Sequence, residues 1–293
     1  MTLNHRHNLG MAEVVVPQPR NSTMAGGVKR DYQGKEKTME SRTVKDVPRN
    51  AYTSMFEAFR NELDEHHDRR MKIGKVSRDV TALSKKIIFS LQRVRKLNEP
   101  LPARIQADVG ERLKEIAGHL ATIEGDVAGM NRYRYPLICL EEFVEAVSFS
   151  HYVQHQKLIT PSETQQALPA QIALTASDYV FGIFDLTGEM MRFATAATAL
   201  SGSMPGLSTE GSDKRTILTD MQEISSLLQI CPTVGGKPGI YSKKSSIMIE
   251  QVRKVERLGY GITVRGNERP KGWMPDMNES GGGEGDQEDV SMD

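Results

Sequence analysis

The decisive stretch is Leu140-Glu141-Glu142-Phe143-Val144-Glu145-Ala146-Val147-Ser148-Phe149. Nothing in it alternates with period two. On a helix, Glu142 and Glu145 share one face. A second stretch, Asp185-Leu186-Thr187-Gly188-Glu189, repeats the theme with carboxylates four positions apart. Phe143, Val144, Ala146 and Val147 surround Glu145, and Phe184 and Leu186 flank Asp185, so neither helix has an obvious polar stripe. Buried carboxylates are expensive unless paired or bound to a cation. Facing one another, the four would repel unless a divalent ion sits between them. The competing expectation is a buried ion pair to Arg132, Arg134 or Arg192, and many Glu-x-x-Glu pairs on helices simply face water.

Outward from these two helices the helical period persists. Asn50 is a plausible N-cap for a long helix ending near Asn98-Glu99-Pro100, with Phe56, Phe59, Leu63, Ile73, Val80, Ile87, Leu91 and Val94 on its apolar face. Its middle carries His66, His67, Arg69, Arg70, Lys72, Lys75 and Arg78, either a solvated face or a strip that contacts phosphates. A second helix opens at Pro102. A third runs from about Asn131 to Lys157, and a fourth opens on the capping box Thr175-Ala176-Ser177-Asp178. Two more span about Asp213–Gln229 and Ser242–Leu258. The expected fold is all-α, an antiparallel bundle of about seven helices covering residues 49–272, between a basic-leaning arm (1–48) and an acidic tail (273–293) without helical periodicity.

Thirty-eight basic residues balance thirty-eight acidic ones, which gives no global pull toward nucleic acid, although a neutral sum can hide a basic face. Cys139 and Cys231 form no metal-ligand pattern, and a reducing compartment is expected. No apolar run is long enough to span a membrane, so an intracellular, soluble protein with no membrane partner is expected. In the arm, Lys29–Lys37 reads as a nuclear-import signal or as an ordinary basic run.

Oxygen-only ligands suit Mg²⁺, with Mn²⁺ as an alternative, and phosphodiester cleavage is chemistry such an ion supports. Redox di-iron chemistry would need Glu-x-x-His repeats, which are missing. His151 and His155 have the spacing of a metal pair but no third ligand in register, and Gly235-Gly236-Lys237 lacks the spacing of a phosphate-binding loop.

Several motifs, in order, resemble the translin family: His66–Arg70 with Lys75–Thr81, then Glu142–Phe149, Asp178-Tyr179, Asp185–Arg192, Val252–Leu258 and Val264-Arg265-Gly266. The second, third and fourth of these resemble its factor X branch, and a fungal member is expected; the 161–171 loop is shorter than expected for animal members. The resemblance covers roughly residues 52–270. It implies an all-α bundle that joins a translin-like protein in a closed, octamer-like shell binding single-stranded RNA and DNA. It further implies that the factor X chain is the catalytic subunit, a Mg²⁺-dependent endoribonuclease acting in RNA silencing and tRNA processing, in cytoplasm and nucleus. The acidic ligands fall on Glu142, Glu145, Asp185 and Glu189, and Arg69, Arg70, Lys75 and Arg78 would hold the strand. Two alternatives stand beside this: a non-catalytic, translin-like binding scaffold whose carboxylates only make ion pairs, and an all-α nucleotide pyrophosphohydrolase. The second typically pairs its Glu-x-x-Glu with Glu-x-x-Asp, where this chain has Asp-x-x-x-Glu.

Overall fold

The computed structural model describes residues 50–206, 215–231 and 239–265. The arm with Lys29–Lys37 and the acidic tail lie outside the described residues, as do Gly235-Gly236-Lys237. Two compact units divide the chain, Met1–Ala58 and Phe59–Asp293. In the first, the Asn50 side chain accepts a hydrogen bond from the Tyr52 amide at 2.9 Å and caps the start of a helix, as the sequence suggests.

Among the described residues the helices are α1 (Thr53–Leu91), α2 (Ala103–Ala121), α3 (Glu124–Val127), α4 (Asn131–Arg134), α5 (Cys139–His155), α6 (Pro161–Gln166), α7 (Ala176–Ser201), α8 (Ile217–Ile230) and α9 (Ile240–Arg265). No strand accompanies them there, only an isolated bridge between Gly206 and Thr216. The fold is all-α, as expected.

Boundaries depart from expectation where local chemistry outweighs the period. The expected third helix is broken in two, because Pro136 has no amide hydrogen and pushes Tyr135 out of the helical region, to φ −119° and ψ 88°. Helix α1 stops at Leu91, where the Arg93 and Val94 amides bond the Ser90 and Leu91 carbonyls and tighten the last turn. Helix α8 begins at Ile217 because Thr216 and Thr219 cap it reciprocally. Helix α9 extends past Leu258 to Arg265. Phe56, Phe59 and Leu63, expected on the apolar face of the helix, are exposed; the buried face of α1 starts at Ile73.

Partners along the chain give the helix directions. Ser90 donates to Asp108 at 2.6 Å, and Lys72 to Asp126 at 2.8 Å, so α1 and the α2–α3 segment run antiparallel. Gln222 donates to Glu256, and the Tyr241 hydroxyl to the Leu228 carbonyl, so α8 and α9 do too. Helices α5 and α7, joined by the crossover that contains α6, advance in the same sense. Gly182 faces Glu141 and Val144, and further along Phe193 meets Phe149 edge-on at 6.4 Å.

Gly182 sets how closely α5 and α7 approach. A Cβ there would lie 2.5 Å from the Val144 Cβ and 2.8 Å from the Glu141 carbonyl oxygen, distances real side chains do not tolerate. The first turn of α7 is fixed independently. Thr175 and Asp178 cap it reciprocally, and buried Arg132 donates to the Asp178 carboxylate and, at 3.0 Å, to the Ala173 carbonyl. At the far end of α5, Tyr152 and Gln156 donate to buried Asp220 at 2.7 and 2.9 Å, tying α5 to α8.

Replacing Gly182 by Ala should cost about 1–3 kcal/mol through overpacking, even though Ala favours helices. Thermal unfolding should register it as a drop of several degrees. An unchanged midpoint would mean that the two helices separate at no cost.

Candidate functional site

The four carboxylates singled out in the sequence come together. Glu142 and Glu145 project from α5, Asp185 and Glu189 from α7, and all four line one cavity of about 600 Å³ with Lys85, Gln92, Arg192 and Gln251. Gly188 joins the wall, its backbone lying close to the Gln251 side chain.

Basic groups accompany three of the four acids. Lys85 of α1 lies 3.3 Å from Glu142. Lys244 of α9 donates to both oxygens of Asp185 at 2.7 Å and stands 3.3 Å from Glu141. Arg192 donates to Glu189 at 2.8 Å, and Gln92 donates to the other oxygen of Glu189, also at 2.8 Å. Of the three arginines weighed as partners, Arg192 is the one that pairs with a site carboxylate; Arg132 is committed to Asp178. Glu145 is different. It is 8% exposed and, among the described residues, makes no hydrogen bond or ion pair. Burial, followed by the charges of Asp185, Glu142 and Glu189, pushes it up to about 8, against the pull of Arg192. Burial also raises Glu141, with Lys244 opposing.

The donor set suits a hard divalent ion. It is made of oxygen, it carries two more acids than bases on the cavity wall, and Glu145, beside the other three acids, lacks a cation among the described residues. No three His, Cys, Asp or Glu side chains among the described residues are already closed into a cage for a metal. Ion binding would therefore draw carboxylates away from Lys85, Lys244 or Arg192.

The basic strip is divided. Arg69 is engaged with Glu65 at 2.9 Å and Asp126 at 3.4 Å. Arg70 and Arg78 are exposed and line a groove between α1 and the 134–139 segment. Lys75 is exposed and lines neither cavity. His151 and His155 sit with ring centroids 4.7 Å apart, and the His151 Nδ1 lies 2.9 Å from the Lys157 carbonyl oxygen. Sequence reasoning missed Lys85, Gln92, Lys244 and Gln251. An amphipathic period marks such residues only as polar positions, and the folded chain decides what they face.

A model of the translin family matches residues 68–266, more than half of the chain. The chain belongs to the translin family. Translin-associated protein X of Mus musculus is 28% identical over 253 residues, covering 76% of this chain and 82% of that one. The Translin-associated protein X homolog of Schizosaccharomyces pombe is 29% identical over 221 residues, with coverages of 72% and 87%. A crystal structure of apo-NeC3PO aligns at 16% identity with a TM-score of 0.49, over 71% of this chain and 96% of that chain.

The raised Glu145 gives a test of signed direction. An unfolded glutamate loses its proton near 4.5, and folded Glu145 keeps its own until about 8. Metal-free protein should therefore lose stability as pH rises across that window, since the unfolded state releases a proton the folded state retains. In chelator, Glu145→Gln should be more stable than its parent by an amount that widens from about pH 5 to pH 8, on the order of a few kcal/mol. Thermal melts at both pH values measure it. A constant gap would show that Glu145 ionises normally.

Proposed function

We propose that this translin-family chain is the catalytic subunit of a translin-type complex, a Mg²⁺- or Mn²⁺-dependent endoribonuclease that cuts single-stranded RNA. The observation that supports it most is Glu145, a buried carboxylate without a cation, inside a cavity lined by three further acids. The names of the relatives, Translin-associated protein X, support a translin-like protein as partner. Cytoplasm and nucleus are proposed as its compartments on the family resemblance alone.

Glu142, Glu145, Asp185 and Glu189 would hold the ion. When bound, it supplies positive charge beside the scissile phosphate and makes water more acidic. Ionisation of Glu145 accompanies ion binding, so affinity rises with pH toward 8. Gln92 orients Glu189, and Lys244 orients Asp185 while resting over the Phe181 ring at 5.6 Å. Lys85 and Arg192, both 62% exposed, can turn from their carboxylates to phosphate oxygens. Phe89, 61% exposed on the same wall, offers a face on which a base can stack.

One feature favours a scaffold instead: Glu142, Asp185 and Glu189 already have basic neighbours, which would be sufficient for a purely structural cluster. Cleavage of an end-labelled single-stranded RNA decides between the readings, using the chain co-expressed with a translin-like partner. Products should form in Mg²⁺, vanish with chelator, and fall about a hundredfold or more in Glu142→Gln/Glu145→Gln. RNA that is bound and left whole would assign the four acids to structure.

A further inference from the structure

Beside the carboxylate cavity lies a second cavity of about 710 Å³, between the Arg70–Lys85 part of α1 and the segment 134–139. Its floor is apolar, built from Ile73, Ala82, Pro136 and Ile138. Ile138 is 70% exposed, so its side chain is accessible to a ligand in the groove. Arg70, Arg78, Arg134 and Lys85 contribute the charge, and among the described residues no acid lines it. Among the described residues Arg70, Arg78 and Arg134 have no acid partner, and Arg134 lies over the Tyr135 ring at 6.0 Å, whereas Arg69 and Lys72 of α1 are paired with Asp126. Three guanidinium groups without an acid partner around an apolar floor match a ligand with an anionic end and a flat apolar body. A nucleotide has both parts.

Lys85 also lines the carboxylate cavity. The two cavities therefore meet at one side chain, and a strand with a phosphate at the carboxylates can continue past Lys85 into the groove. We infer that this groove is a nucleotide subsite of the RNA strand, with a base against Ile73, Pro136 and Ile138 and its phosphates on Arg70, Arg78 and Arg134. The inference rests on the proposed nuclease reading for the identity of the strand, and it deepens that reading by locating where a flanking nucleotide sits.

Gly74 offers a test that leaves the charges untouched. A Cβ at Gly74 would meet only the far end of Arg78, at 3.9 Å, so a larger side chain there extends into the groove without striking the backbone. Leucine also favours helix over glycine, which keeps α1 intact. The co-expressed complex carrying Gly74→Leu would be titrated in chelator, so that RNA is bound and not cut, with a labelled single-stranded RNA and with a version carrying successive abasic sites. The parent should lose roughly tenfold in affinity when one abasic position falls in the groove, and Gly74→Leu should bind the intact strand roughly tenfold more weakly while responding little to that abasic site. In Arg70→Gln/Arg78→Gln, exposed positions that do not threaten folding, the salt dependence should fall by about 1.4 in log–log slope, two contacts at about 0.7 each.

Unchanged binding by both variants overturns the subsite. So does loss of co-assembly with the partner in Gly74→Leu, measured by native mass, since it would make the groove a protein interface. Failure of the nuclease reading looks different: the parent would bind RNA with the same abasic pattern and leave it whole in Mg²⁺.

Discussion

The close approach of α5 and α7 at Gly182 governs the rest. Two helices that advance in the same sense and touch backbone to side chain bring Glu142 and Glu145 alongside Asp185 and Glu189. Any larger residue at that position would force the helices apart and relax the crowding of charge. The chain instead accepts the crowding and meets it locally. Lys85 comes from α1, Lys244 from α9 and Arg192 from α7, each to a different acid. Glu145 is left with three like charges for neighbours and only a distant pull from Arg192. Electrostatic tension is therefore concentrated on a single carboxyl group, and that concentration distinguishes the cavity from an ordinary network of ion pairs.

The supports of the cavity are conventional and independent of it. Arg132 locks the first turn of α7 through Asp178, and the Tyr152–Asp220–Gln156 cluster fixes the far end of α5. Both clusters are buried and satisfied by hydrogen bonds, so the rigid frame does not depend on the charge state of the cavity it holds.

Much of this was legible in the sequence, for reasons that can be named. The all-α class followed from apolar spacing, and the start of α7 from the Thr175–Asp178 box, because both are local properties of the chain. The four acids stood out because their neighbours are apolar. The break before α5 was missed, although Pro136 is a local signal that a helix spanning Asn131–Lys157 must be interrupted. Phe56, Phe59 and Leu63 fitted the helical period and still lie exposed, since a period shows which residues share a face and not how deeply that face is buried. The split of the basic strip was hidden because Arg69 and Arg70 are neighbours in sequence that point to different surroundings, Asp126 for one and the open groove for the other. Lys244 was hidden for a different reason: its partner Asp185 is 59 residues away.

That separation affects the order in which the site is completed. Asp185 and Glu141 are synthesised well before Lys244, and Lys244 belongs to the last helix described. A chain still emerging from the ribosome, with α5 and α7 made and α9 not yet available, holds the acids without the base that neutralises two of them. The α5–α7 seam is then at its most repulsive, and docking of α9 supplies the charge that relieves it.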